Sequence, residues 1–120
     1  MDYKFLNTEY LDSVSGGDPE IIRELVAMFR DQVVEINNEM KSYFSLKNYT
    51  SLGQLAHKAK SSVAIMGMND LADMLKSFEL QAKDGNESEL YESYIARFKT
   101  ETDAAVIELE DLVKSSLNKN

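Results

Sequence analysis

Apolar positions recur along the chain at intervals of three and four, and glycine, proline and small polar residues interrupt that rhythm. The longest run, Ile22, Leu25, Val26, Phe29, Val33, Ile36 and Met40, keeps to one face of a helix. Asp18 stands before it as an N-cap, with Pro19 at the first helical position, where a missing N–H costs nothing. The stretch from Ser42 to Asn48 reads as the end of that helix and a loop. Asn48 or Thr50 then caps a helix carrying Leu52, Leu55, Ala56, Ala59, Val63 and Met66, which Gly67 ends. Asn69 caps the next, with Leu71, Met74, Leu75, Phe78 and Ala82 on its apolar face and Gly85 as its stop. Ser88 opens the last, which shows Tyr91, Tyr94, Ile95, Phe98, Thr102, Ala105, Leu109 and Leu112 and runs to about Leu117. Ahead of all these, Thr8 caps a short helix carrying Leu11 and Val14, ended by Gly16 and Gly17.

No segment alternates β-branched and polar residues between turns, so no strand is predicted. Four long amphipathic helices with short connections make an all-α, antiparallel up-down four-helix bundle, with the short N-terminal helix laid over one end. At 120 residues, 43% of them hydrophobic, the chain suits a single domain spanning 1–120.

Composition removes most other chemistries. No apolar run approaches the roughly 18 to 20 residues of a membrane span, and the N-terminus lacks the basic and apolar stretches of a secretory signal. The expectation is a cytoplasmic protein with no membrane insertion; a monomer is expected as well. With no cysteine there are no disulfides, thiol nucleophiles or thiolate metal sites. With a single histidine, His57, there is no Glu-x-x-His pair for a di-metal bundle site. The formal net charge of −8 disfavours nucleic acid as a partner.

That mean charge hides a local inversion. Between Lys41 and Asn69 there is no Asp or Glu, while Lys41, Lys47, Lys58 and Lys60 fall inside the window. These 29 residues carry +4, which leaves −12 on the other 91. Either the gap is chance, or a basic island suited to an anionic partner sits on an acidic body.

His57 lies near the middle of that window and on the wrong face for a core residue. At about 100° per residue, Leu52, Leu55, Ala56, Ala59, Val63 and Met66 form one stripe, and His57 points roughly 150° from its centre. Its neighbours one to two turns away are Gly53, Lys60, Ser61 and Ala64, three of them small, which clears room for a large partner. Gly53 costs its helix about 0.5 to 1 kcal/mol relative to alanine, so it either serves that approach or marks a loose first turn. An exposed histidine with no further role is the bland account of His57, and solvated surface charge is that of the lysines.

The combination suits phosphoryl acceptance. Imidazole with its ordinary pKa of about 6.5 is a nucleophile near neutral pH. Lys60, at i+3 on the same flank, can offset the charge of the incoming group, whereas Lys58 points about 100° away and suits steering of a partner. No acidic neighbour in sequence opposes this.

The stretch Leu55-Ala56-His57-Lys58-Ala59-Lys60-Ser61-Ser62-Val63-Ala64-Ile65-Met66-Gly67-Met68 resembles the signature of histidine-containing phosphotransfer (HPt) domains, an A-H-x-x-K-G-small run with a glycine ten residues after the histidine. Leu75, Phe78 and Glu79 followed by Gly85 are similar to the family's L-x-x-x-E segment and closing glycine, and Gly16-Gly17-Asp18 is also like the family. One position departs: the family usually has glycine after the lysine, where this chain has Ser61. Serine is the next mildest choice, so function is expected to persist with altered partner preference or rate.

The resemblance implies a phosphoryl carrier in a multistep phosphorelay. His57 would accept the group from one receiver-domain aspartate and pass it to another, with Lys60 stabilising the phosphoryl group and Lys58 steering. The implied partners are response-regulator receiver domains and a hybrid sensor histidine kinase. The chain has no nucleotide-binding glycine motif and so no expected kinase activity of its own. No cofactor of its own is expected, and Mg²⁺ would be supplied by the receiver. The receiver-facing surface is expected to include Gly53, Ser61, Ala64 and Met68, with Leu11 and Val14 of the first helix. Two other classes compete: a non-catalytic acidic helical adaptor in which His57 is incidental, and a small enzyme using His57 as general base.

Overall fold

In the computed structural model the described residues are 9–117; the side chains of Tyr10, Leu11, Val14 and residues 115–117 lie outside the description. Five α-helices follow in order: α1 (Glu9–Ser15), α2 (Pro19–Ser45), α3 (Tyr49–Ile65), α4 (Asn69–Asp84) and α5 (Tyr91–Leu117), with a 3₁₀ turn at Ser88–Leu90 leading into α5. There is no strand among the described residues. The four long helices form the all-α bundle that the apolar periodicity predicts.

Local chemistry sets the helix ends. The Asp18 carboxylate accepts the Glu20 N–H at 2.9 Å, and Pro19 occupies the first turn, so α2 begins where the sequence indicates. Asn48, not Thr50, caps α3 by accepting the Ser51 N–H. The expected cap of α1, Thr8, lies outside the described residues. Gly67 turns the chain after α3 with φ of 77°, the Gly67 N–H donating to Ala64 O and the Met68 N–H to Val63 O. This Schellman closure folds Met68 back onto the core beside Val63. It also moves the start of α4. Met68 is the cap residue, without a side-chain hydrogen bond, and Asn69 is already helical, contrary to the expectation for Asn69.

The core is one cluster running the length of the bundle, from Ile22 and Val26 through Ile36, Leu52, Val63, Leu75 and Phe98 to Leu109. The molecule is correspondingly long, about 52 × 21 × 20 Å. α3 pairs most extensively with α4, and α2 with α5. An aromatic group ties α3, α4 and α5 together. Tyr91 meets Tyr49 edge-on at 5.1 Å and Phe78 at 5.4 Å, and Phe78 also meets Tyr94 at 5.1 Å. Phe78 is fully buried there, which fixes the height and rotation of the α4 turn that follows it.

Candidate functional site

The residue after Phe78 is Glu79, and α4 presents its carboxylate to α3 from the border of the apolar stripe. Its side chain is 8% exposed, whereas that of His57 is 61% exposed. Between them lies a hydrogen bond of 3.0 Å, from His57 Nδ1 to Glu79 Oε1. Glu79 Oε2 accepts a second hydrogen bond, at 2.8 Å, from Lys83 Nζ one turn along α4. Lys60 Nζ stands 3.6 Å from Oε1, within ion-pair range but longer than a hydrogen bond.

These contacts hold Glu79 ionised. Its pKa falls from 4.5 to about 2, chiefly through the Lys83 hydrogen bond; burial opposes the drop, and the bond and charge of His57 add to it. An ionised carboxylate can only accept. Nδ1 must therefore carry a proton, and in the neutral ring the lone pair is left on Nε2, at the far side of a ring that is mostly exposed.

Sequence reasoning found His57 and placed it correctly on the outer face of α3, and named Glu79 only within a family-like segment, without placing it beside His57. The nearest carboxylate in sequence is thirteen residues away, while Glu79, twenty-two residues along, is in contact. A signal was present: Glu79 lies within one turn of Leu75 and Ala82 on the apolar stripe of α4, an unusual place for a lone carboxylate. Lys83 carries no mark in the sequence.

The other expected residues divide. Lys58, Ser61 and Ala64 are exposed on α3, and Lys60 is half-buried. Gly53, expected on the receiver-facing surface, is instead buried against α4. A Cβ there would lie 3.2 Å from the Glu79 carbonyl oxygen, 3.2 Å from Lys83 Cγ and 3.4 Å from Ala82 Cβ. Its missing side chain makes room for the neighbouring helix. Met68, expected on the partner face, is 4% exposed and packed in the core, because the turn at Gly67 folds it inward. Leu11 and Val14 lie in α1, with side chains outside the described residues. The basic island is also divided: Lys41 lines a groove between α2 and α5 with Phe44, Glu92 and Lys99, while Lys58 and Lys60 lie on α3, where Lys83 of α4, from outside the island, joins Lys60 at Glu79.

Among the described residues, no group of three or more His, Asp or Glu side chains is placed to hold a metal ion, and no helix is long and apolar enough to cross a membrane. A family model described as the Hpt domain matches residues 24–116. The chain belongs to the Hpt domain family. No curated protein and no solved structure matches it. The Hpt match takes in all of α3 and α4, most of α2 and nearly all of α5, and leaves out α1. Hpt domains are phosphocarrier modules rather than kinases, and they act with receiver domains in phosphorelay signalling. In this Hpt chain, the single histidine stands on α3 inside the matched span.

Proposed function

We propose that this Hpt domain carries a phosphoryl group on His57 Nε2 between receiver-domain aspartates. The observation that carries the reading is the hydrogen bond from Nδ1 to a buried, ionised Glu79, which leaves Nε2 as an exposed nucleophile. In the forward step the Nε2 lone pair attacks phosphorus of the receiver's aspartyl phosphate. The N–P bond forms as the P–O bond breaks, and the electron pair returns to the aspartate carboxylate. No proton has to leave the ring. The proton stays on Nδ1, and Glu79 offsets the positive charge that the ring acquires. In the reverse step the leaving group is again neutral imidazole with its Nδ1–H in place, so one geometry serves both directions.

Glu79 stands on the Nδ1 side, away from the incoming group. Together with Lys60 and Lys83 the local charge is +1, so the carboxylate does not make the site repel phosphate. Lys60 turns to the phosphoryl oxygens, and exposed Lys58 attracts the receiver's acidic pocket. Ser61 and Ala64, exposed on the same helix, form part of the docking surface. The receiver supplies Mg²⁺, and the setting is a cytoplasmic relay fed by a hybrid sensor kinase, with the domain acting as a monomer.

The test is transfer from a phosphorylated receiver to the wild type and to His57→Gln. The wild type should gain acid-labile, base-stable phosphate. The variant should gain none while keeping its helical fold, because His57 lies outside the apolar core and glutamine can still donate to Glu79. A wild type that takes no phosphate but still binds protein partners would instead favour the adaptor reading.

A further inference from the structure

Two lysines reach Glu79, and they reach it differently. Lys83 approaches along α4, its own helix, and hydrogen-bonds Oε2 at 2.8 Å. Lys60 comes from α3 and stops 3.6 Å from Oε1, the oxygen already taken by His57. The Lys83 stem passes through the space left by Gly53, where a Cβ would sit 3.2 Å from Lys83 Cγ. Gly53 is one turn before His57 on α3, and Lys83 is one turn after Glu79 on α4. The antiparallel pair thus stacks Gly53 against Lys83 and His57 against Glu79.

A buried carboxylate needs both oxygens satisfied. With Lys83 absent, Oε2 has no donor, and the nearest remaining cation is Lys60. Glu79 would draw Lys60 into a direct hydrogen bond and rotate away from Nδ1 to do so. We propose that Lys83 is a positioning residue that engages Glu79 so that Oε1 stays aimed at His57 Nδ1 and Lys60 stays free for the phosphoryl group. The inference rests on His57 being the phosphoryl carrier. It adds a division of labour: Lys83 acts on the ring through Glu79, and Lys60 acts on the transferred group.

The test uses the full chain and two readouts. The first is the ¹⁵N shifts of the unphosphorylated ring in mildly alkaline buffer, which report the protonated nitrogen without any transfer. The second is the rate at which phosphoramidate phosphorylates His57. That reaction needs no receiver: Nε2 attacks phosphorus, the P–N bond breaks and ammonia leaves. Lys83→Met should lose the dominant Nδ1–H form and slow phosphorylation about tenfold, the scale of one charge-assisted hydrogen bond. Lys60→Ala should slow phosphorylation by a similar factor yet keep the Nδ1–H form. The double variant should be no slower than the slower single one, because without Lys60 no cation is left to draw Glu79 away from Nδ1. Lys83→Arg should restore both readouts. Lys83 is half-exposed, so Lys83→Met should fold, and Lys83→Gln serves as a second neutral variant if it does not.

A Lys83→Met chain with an unchanged ring tautomer and rate overturns the proposal, as do multiplicative effects in the double variant. If the wild type takes no phosphoryl group, the carrier reading fails. The division of labour falls with it, and the ¹⁵N readout still decides whether Lys83 sets the tautomer.

Discussion

Replacing Glu79 with glutamine changes one atom type and removes a charge, and the structure gives the size of both consequences. The drop of the Glu79 pKa from 4.5 to about 2 corresponds to at most ~3 kcal/mol of folding stability. Lys83, its main partner, is half-exposed, and screening there reduces the figure to about 1 to 2 kcal/mol. Because the folded-state pKa lies below the unfolded one, this stabilisation is complete above about pH 4.5 and is lost as the pH falls toward 2. Glu79→Gln should therefore melt below wild type at pH 7, and the gap should narrow through the acid range. The effect on transfer is larger in kind. A carboxylate compels Nδ1 to donate, whereas an amide can turn its NH₂ toward Nδ1 and leave the proton on Nε2, where it blocks the nucleophile. Losing a charge-assisted hydrogen bond of about 1.5 to 3 kcal/mol slows transfer about ten- to a hundredfold. Single-turnover transfer from a phosphorylated receiver measures this, alongside melts at pH 7 and pH 3. A Glu79→Gln domain that transfers at the wild-type rate, or faster, would show that the carboxylate does not prepare the ring.

Asn37 is buried in α2 with its side-chain oxygen lacking any hydrogen-bond partner, so Asn37→Leu should raise stability by about 1 to 2 kcal/mol in urea unfolding without changing transfer. Gly53→Leu should cost about 1 to 3 kcal/mol and also slow phosphorylation, because the new side chain meets the Glu79 carbonyl and the Lys83 stem; a neutral effect on both would mean that α3 and α4 do not approach so closely. Ser61→Gln should block transfer from a receiver yet leave phosphorylation by phosphoramidate intact, since it crowds only the docking surface. Normal receiver transfer in that variant would remove this helix face from the interface.

The parts of this molecule that follow from local rules are legible in its sequence. The faces of α2 and α5 follow from spacing alone, and the start of α2 from Asp18 and Pro19. His57 is legible as exposed because its angle from the α3 stripe needs no knowledge of the neighbours. What fails needs contact between helices. Gly53 lies on the flank of α3 that meets α4, and no single-helix periodicity separates that flank from solvent. Met68 fails for a different reason: a glycine in the left-handed region reverses the chain and buries the residue after it, which the apolar pattern records only as a residue between two helices. Glu79 joins His57 through tertiary pairing across twenty-two residues, so an acid-free window in sequence becomes an acid-containing site in space.

In the proposed carrier the phosphoryl group sits on Nε2 of His57 while the Nδ1 proton stays hydrogen-bonded to Glu79. NMR of the ¹⁵N-labelled, receiver-phosphorylated chain reads this through coupling between ³¹P and the ring nitrogens. Coupling to Nε2, with a protonated Nδ1 and an acid-labile phosphate lost in His57→Gln, is the expected result. Phosphate on Nδ1, or acid-stable phosphate on any other residue, would contradict it.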